Sequence, residues 1–262
     1  DHDGLGRVPS ILAVNWDYVD TKNNKAYPDW PMMGYYDDKG NFVNCLGTSQ
    51  KVKNPLTIQL NKSDKESYIV GDDDFSYPDF KEGDSLKKVW QWNPDDANWS
   101  VTENPGYYRI KNGKVAGNIW FARNSLTQRT VGPNFTSETC VLTENMKPGD
   151  YAGLAAISAH YGMVGVKCDE KGNRYVFQGC NSDTNSGAKA EKEDKIEENA
   201  VSEEKIEGNA PVYLKIEYAF NTGNTRADRA NFFYSLDGEN WKSIGETFSL
   251  GFDTSTTFMG TR

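Results

Sequence analysis

Two kinds of side chain in this sequence are suited to chemistry on sugars: carboxylates and large aromatic rings. Hydrolysis of a glycosidic bond needs two carboxyl groups about 5 to 9.5 Å apart, one acting as acid and the other as base or nucleophile. The chain has 38 Asp and Glu residues, so composition supplies many such pairs and singles out none. Aromatic rings stack on pyranose rings because their apolar faces match the C–H faces of the sugar while hydroxyls bond at the rim. The stretch WQWNPDDANWSVTENPGYYRI, residues 90–110, places Trp90, Trp92 and Trp99 with two tyrosines in an otherwise polar region. The same residue types fill β-sheet cores. Strand alternation would put Trp90 and Trp92 on one face, read as core, and leaves Trp99, after the turn at Pro94 and Asp95, as the candidate for carbohydrate stacking.

Other chemistry has little support. His2 and His160 are the only histidines, with no G-x-S-x-G or reactive-cysteine context for a nucleophilic triad. Cys45, Cys140, Cys168 and Cys180 show no CxxC spacing, which argues against zinc. Cys168 and Cys180 flank the hairpin pattern CDEKGNRYVFQGC and are either a disulfide or two separate thiols. Asp72–Asp74 have calcium-ligand chemistry without the D-x-D-x-D-G spacing, and read as a solvated turn. No metal, cofactor or catalytic residue is assigned.

The chain of 262 residues carries a net charge of −9, which argues against a phosphate backbone as partner and suits neutral ligands. No run of about 18 apolar residues exists, so no membrane-spanning helix is expected and no membrane partner is assigned. The sequence begins DHDGLGR, without Met or a signal pattern, and reads as a piece of something longer, so its compartment stays open.

Positioning these groups falls to short alternating segments such as YYRIKNGKVAG, VYLKIEYAF and ANFFYSLDGENWKSIG, the pattern of an antiparallel sandwich. Asp237–Gly238 sit between two alternating runs as a hairpin turn. Residues 151–166 read as two buried strands joined at Tyr161 and Gly162, or as a segment with a helix at its start. Residues 188–210, rich in Lys and Glu, read as a solvated insertion, a flexible loop or short helix. VPSILAVNWDYVD and WPMMGYYDDKGNFV read as strands of a different β unit, with TKNNKAYPD as a loop between them.

The ordered motifs WQWNPDDANWSVTENPGYYRI, ARNSLTQRTVGP, MKPGDYAGLAA, YGMVGV and FFYSLDGENWKSIG resemble the C-terminal β-sandwich of glycoside hydrolase family 43 β-xylosidases and α-L-arabinofuranosidases. The start, DHDGLGRVPSILAVNW followed by DWPMMG, is similar to the last blade of that family's five-bladed propeller. It departs from the family pattern in a spacing before Gly6 that is one residue shorter and in an insertion at residues 17–28. The resemblance implies an all-β chain: a blade remnant at 1–47, a linker at 48–73, and a concanavalin A-like jelly-roll sandwich at 74–262 that lacks its final strands. It further implies that Arg7 contacts substrate hydroxyls near the scissile bond and that Phe258, in FMGTR, forms part of the pocket wall. The structural alternative for Arg7 is a salt-bridged blade arginine. The family's catalytic carboxylates lie in earlier blades, and none is carried over. The implied role is an accessory domain of a xylan-degrading enzyme, inverting when intact. Its partners would be xylo- or arabinoxylo-oligosaccharides and the enzyme's own propeller. An independent xylan-binding module and a purely structural domain are the alternatives.

Overall fold

A computed structural model describes residues 12–44, 69–81, 83–91, 98–113, 115–116, 119, 122–158, 160–181, 199–220, 228–250 and 261. Arg7, Cys45, Trp92 and Phe258 lie outside the described residues. The chain divides into two compact units, Pro9–Glu66 and a larger one made of Asp1–Val8 with Ser67–Arg262.

In the smaller unit, β1 (Ala13–Asn15), β4 (Met32–Tyr36) and β5 (Phe42–Asn44) form one antiparallel sheet. β2 (Tyr18–Asp20) and β3 (Lys25–Tyr27) form a separate ribbon. The segment expected as a loop between two strands therefore contains a strand of its own, β3, whose Lys25–Tyr27 pair with β2. Met32 is buried, and the Phe42 ring meets those of Tyr18 and Tyr36 at 5.5 and 5.4 Å. On the opposite face Val14 sits across from Met33, and both are exposed, as are Trp16 and Trp30.

Before residue 134 the described residues of the larger unit hold little regular structure. The two-residue strands β6 (Trp99–Ser100) and β7 (Arg109–Ile110) pair with each other. Next in the chain come β8 (Asn134–Val141), β9 (Tyr151–Ile157), β10 (Tyr161–Cys168), β11 (Arg174–Asn181) and β12 (Asn199–Ile206). They are followed by β13 (Val212–Ala219), β14 (Arg229–Ser235), β15 (Lys242–Ser243) and β16 (Phe248–Ser249). One sheet runs β12-β11-β10-β9; the other runs β15-β14-β13-β8, with β16 also on β14. Alternation along β13 buries Val212, Leu214, Ile216 and Tyr218 on one face. These meet Val164, Val166 and Val176 of the facing sheet in a single core with Phe232 and Tyr234. Each large side chain removed from water there contributes about 1.5–3 kcal/mol before conformational entropy is charged.

Polar pins cross the sandwich. Tyr234, 1% exposed, donates its hydroxyl to Glu204 Oε2 at 2.5 Å, and Lys242 approaches Glu204 Oε1 at 3.7 Å. The Gln178 side chain imitates a strand: Glu246 N–H donates to its Oε1 at 3.0 Å and its Nε2 donates to the Glu246 carbonyl at 3.3 Å. Gly245 makes this possible, because it holds φ +71° and a Cβ there would lie 1.8 Å from Gln178 Oε1.

The hairpin turns are built locally. In DDKGN (37–41) and DEKGN (169–173) the first aspartate accepts the amides two and four residues on, and the asparagine side chain closes onto its other oxygen. The glycines take φ +80° and +81°, the left-handed position of a three-residue hairpin loop with a bulge. Asp237–Gly238 turn β14 into β15 as expected, with the Asp237 carboxylate accepting from the Glu239 and Asn240 amides.

Several expectations are corrected. β9 and β10 are joined through residues 158–160, where Ser158 N–H donates to the His160 carbonyl, so Tyr161 and Gly162 lie within β10, and β9 is a strand with no helix. Residues 199–206 of the Lys/Glu-rich segment form the edge strand β12, in which Ser202 and Glu204 pair with Gln178 and Val176 while Glu203 and Lys205 pair with Phe177 and Tyr175; the three charged residues are exposed, and a charged strand serves well at an edge. Of the two alternatives for Cys168 and Cys180, separate thiols is the one that holds: both are free. They sit at opposite ends of one hairpin, Cys168 facing Arg174 and Cys180 facing Gly162. Six residues of strand, about 20 Å, separate those pairs, far beyond the reach of a disulfide.

Candidate functional site

The aromatic stretch folds around one carboxylate. Asp73, whose side chain has no exposed surface, accepts from Tyr77 Oη at 2.5 Å, Trp90 Nε1 at 2.8 Å and its neighbour's amide, Phe75 N–H, at 3.0 Å. Lys87 Nζ completes the set at 3.2 Å and also donates to the Asp72 carbonyl. Burial alone would raise the Asp73 carboxyl, but the bonds from Tyr77, Trp90, Phe75 and Lys87 outweigh it and hold the group below the ordinary aspartate value. Burial and the bond to Asp73 push the Tyr77 hydroxyl up to about 12.

Six rings close into a circuit around this hub. Trp90 stacks on Phe75 at 5.8 Å, Phe75 meets Tyr108 at 5.5 Å, and Tyr108 meets Trp99 at 5.8 Å. Trp99 meets Phe80 edge-on at 5.7 Å, Phe80 meets Tyr77 at 5.5 Å, and Asp73 joins Tyr77 back to Trp90. With Trp99 and Tyr108, the circuit gives residues 69–91, whose described residues contain no strand, a packed interior. Phe75 holds φ +51°, a left-handed conformation that costs a side-chain-bearing residue about 1–2 kcal/mol. Its amide bond to Asp73, the Gly106 N–H on its carbonyl and the two rings flanking it overdetermine that conformation.

Sequence reasoning and structure differ here in two respects. Trp90 is in no strand, so its partly buried position comes from the bond to Asp73 and the Phe75 stack, not from sheet alternation. Asp73, read as part of a solvated turn, is fully enclosed; three consecutive aspartates carry no signal that marks the middle one as a hub. Trp99 is half-buried, with Phe80 and Tyr108 against its ring and its indole N–H enclosed without a hydrogen-bond partner among the described residues.

Beside the circuit, Tyr77 and Phe80 wall a shallow, open depression of about 380 Å³, with Ser76, Asp79, Asp84 and Ser85 at its rim. Elsewhere, His160 Nε2 pairs with the Ser249 carbonyl at 2.9 Å and its ring stands edge-on to Phe248, so this histidine serves packing at a strand end. Among the described residues no group of three or more His, Cys, Asp or Glu side chains is placed to hold a metal ion. Thr261, three residues past Phe258, is buried, and its carbonyl accepts from the amide and hydroxyl of Thr130.

Two antiparallel sheets packed face to face, with a charged edge strand at β12 and an Asp-Gly hairpin between β14 and β15, define a β-sandwich. Its family is the β-xylosidase C-terminal concanavalin A-like domain, to which this chain belongs through a match over residues 78–262. A β-xylosidase of Formosa agariphila is 26% identical over 272 residues, covering 94% of this chain and 38% of that protein. A putative β-xylosidase of Xylanibacter ruminicola is 27% identical over 248 residues, covering 94% of this chain and 37% of that protein. The chain thus spans under two fifths of the length of these curated relatives. Among solved structures, a bifunctional GH43-CE protein of Bacteroides eggerthii is similar with a TM-score of 0.68 at 30% identity, covering all of this chain and 28% of that one.

Proposed function

We propose that this chain is the sandwich-bearing, accessory part of a family 43 glycoside hydrolase acting on xylo- or arabinoxylo-oligosaccharides. The observation that carries the reading is the family match over residues 78–262, joined to relatives described as β-xylosidases. In this reading residues 1–47 belong to the last blade of a catalytic propeller, 48–73 link it to the sandwich, and the carboxylates that do the chemistry come from other blades. Water then attacks the anomeric carbon with inversion. Arg7 supplies the planar fork of donors suited to substrate hydroxyls, and Phe258 excludes water from the leaving-group side of the pocket. The described residues assign no acid–base pair of their own.

Nitrophenyl β-xyloside tests this directly. The 262-residue chain is expected to give no turnover above buffer, and steady hydrolysis by it would overturn the accessory role. In the enzyme carrying the propeller, Arg7→Ala should lower kcat/KM by roughly a hundredfold or more, the scale of losing a donor that meets the transition state. A loss of melting temperature with kcat/KM unchanged would return Arg7 to a structural salt bridge. A second reading, a sandwich that itself holds carbohydrate, is favoured by the depression beside the aromatic circuit.

A further inference from the structure

The sequence contains one Asn-Gly pair, Asn112–Gly113, just beyond β7. An asparagine followed by glycine is self-reactive: the next backbone nitrogen lies within reach of the side-chain carbonyl carbon, and glycine brings no Cβ to hinder the approach. A backbone held in a helix or strand with its N–H engaged protects such a pair. Neither protection exists here. Asn112 and Gly113 are exposed and lie in no helix or strand, and the Gly113 N–H meets no acceptor among the described residues.

The Asn112 side chain is also part of a joint. Its Nδ2 donates to Asp150 Oδ1 at 2.7 Å. Asp150 is itself anchored: its Oδ2 accepts from Lys147 N–H at 2.8 Å, its own N–H donates to the Lys147 carbonyl at 2.9 Å, and its carbonyl accepts from the N–H of Cys168, the last residue of β10, at 3.0 Å. The Asn112 amide thereby ties the segment after β7 to the connection between β8 and β9 and, through it, to β10. A carboxylate at position 112 has no hydrogen to donate to Asp150 and carries the same charge, so the tie would become a repulsion. The neighbouring cations do not offset it, because Arg109 and Lys111 both pair with Glu103, at 3.3 and 2.7 Å.

We propose that Asn112 is a self-modification site and that its conversion to a carboxylate unfastens this joint. The Gly113 backbone nitrogen forms a bond to Asn112 Cγ and gives up its proton. The Cγ–Nδ2 bond breaks, ammonia leaves with that proton, and a succinimide closes. Water, the only co-reactant, then opens the ring at either carbonyl, giving aspartate or, where the chain continues through the side chain, isoaspartate. The inference is independent of the glycosidase reading.

Peptide mapping by mass spectrometry of the 262-residue chain, aged in mildly alkaline buffer, tests the modification, with enzymatic methylation to measure isoaspartate. Conversion is expected at Asn112 ahead of every other asparagine, with both products present. Gly113→Ala should slow it roughly tenfold, because a Cβ crowds the attacking nitrogen. Asn112→Gln should abolish it, since the longer side chain closes its ring far less readily. A Cβ at position 113 would lie 3.3 Å from Asn98 Oδ1, so the melting temperature of Gly113→Ala is read alongside, and Asn112→Gln carries the test if that variant melts low. Conversion at Asn112 no faster than elsewhere, or undiminished in both variants, overturns the site. The joint is read from Asn112→Asp, which should melt roughly 2–4 °C below the parent chain, the scale of one hydrogen bond in a domain of this size. Its amide hydrogens across residues 98–113 should also exchange faster. An Asn112→Asp chain that matches the parent in both measurements overturns the unfastening.

Discussion

Asp73 shows how one side chain can organise a region that has almost no secondary structure. Its carboxylate replaces the sheet ladder as the acceptor for an amide, a phenol, an indole and an ammonium, and each bond fixes a ring or loop of the aromatic circuit. Asp73→Ala leaves the Tyr77 and Trp90 donors enclosed without an acceptor, and should cost about 3 kcal/mol in urea unfolding at neutral pH. The pH dependence has a definite sign. The folded-state carboxyl is held below its unfolded value, near 3.9, so its stabilisation is present above that value and is lost as pH falls through the folded one. Asp73→Asn should therefore lie below the parent chain in stability at pH 6, and the gap should narrow as pH falls below about 4. A gap that is constant across this range would show that the charge contributes nothing. The sequence gives no access to this hub, since Asp72, Asp73 and Asp74 are alike until the chain encloses one of them.

At the scale of elements, the hairpins and strands divide into those whose local sequence suffices and those set by partners. DDKGN and DEKGN make the same turn in two different sheets because every bond that closes it comes from within five residues. The alternation of β13 and the Asp-Gly turn after β14 are legible for the same reason. β12 is the opposite case: its Lys/Glu-rich sequence is that of a solvated loop, and it becomes a strand because β11 offers it an edge and Tyr234 and Lys242 meet Glu204 across the core opening. Tyr234→Phe should remove one hydrogen bond and cost about 1 kcal/mol, roughly 2–4 °C of melting temperature for a domain of this size. Burial and the Glu204 bond push the Tyr234 hydroxyl up to about 12, above its unfolded value near 10. The stabilisation is thus full below pH 10 and is lost as pH rises through about 12, so the parent and Tyr234→Phe chains should converge there in thermal melts. Persistence of the difference at that pH would count against the inter-sheet bond.

For the whole molecule, the two units differ in how well each can stand alone. The sandwich buries a continuous core from both sheets. Among the described residues of the unit Pro9–Glu66, Met32 is the one large buried hydrophobic side chain and Val14, Trp16, Trp30 and Met33 are exposed, and a unit of fewer than about 60 residues is marginal by itself. Residues 67–262 should therefore give a cooperative melt and dispersed amide signals by NMR, whereas residues 9–66 alone should give neither; a well-dispersed spectrum from 9–66 would refute this. The division between sequence and tertiary structure runs along the same line. Alternation, Asp-Gly and Asp-x-Lys-Gly-Asn turns and the ordered family motifs determine an all-β sandwich, because period-two burial and left-handed glycine positions are properties of neighbours in the chain. Only the tertiary structure decided that Cys168 and Cys180 stand at opposite ends of a hairpin, that Trp90 belongs to a carboxylate hub, and that Phe80 and Tyr77 hold ring surface at the solvent edge. Those facts depend on which groups from distant parts of the chain enclose one another, and burial is a property of the assembled surface that no local spacing encodes.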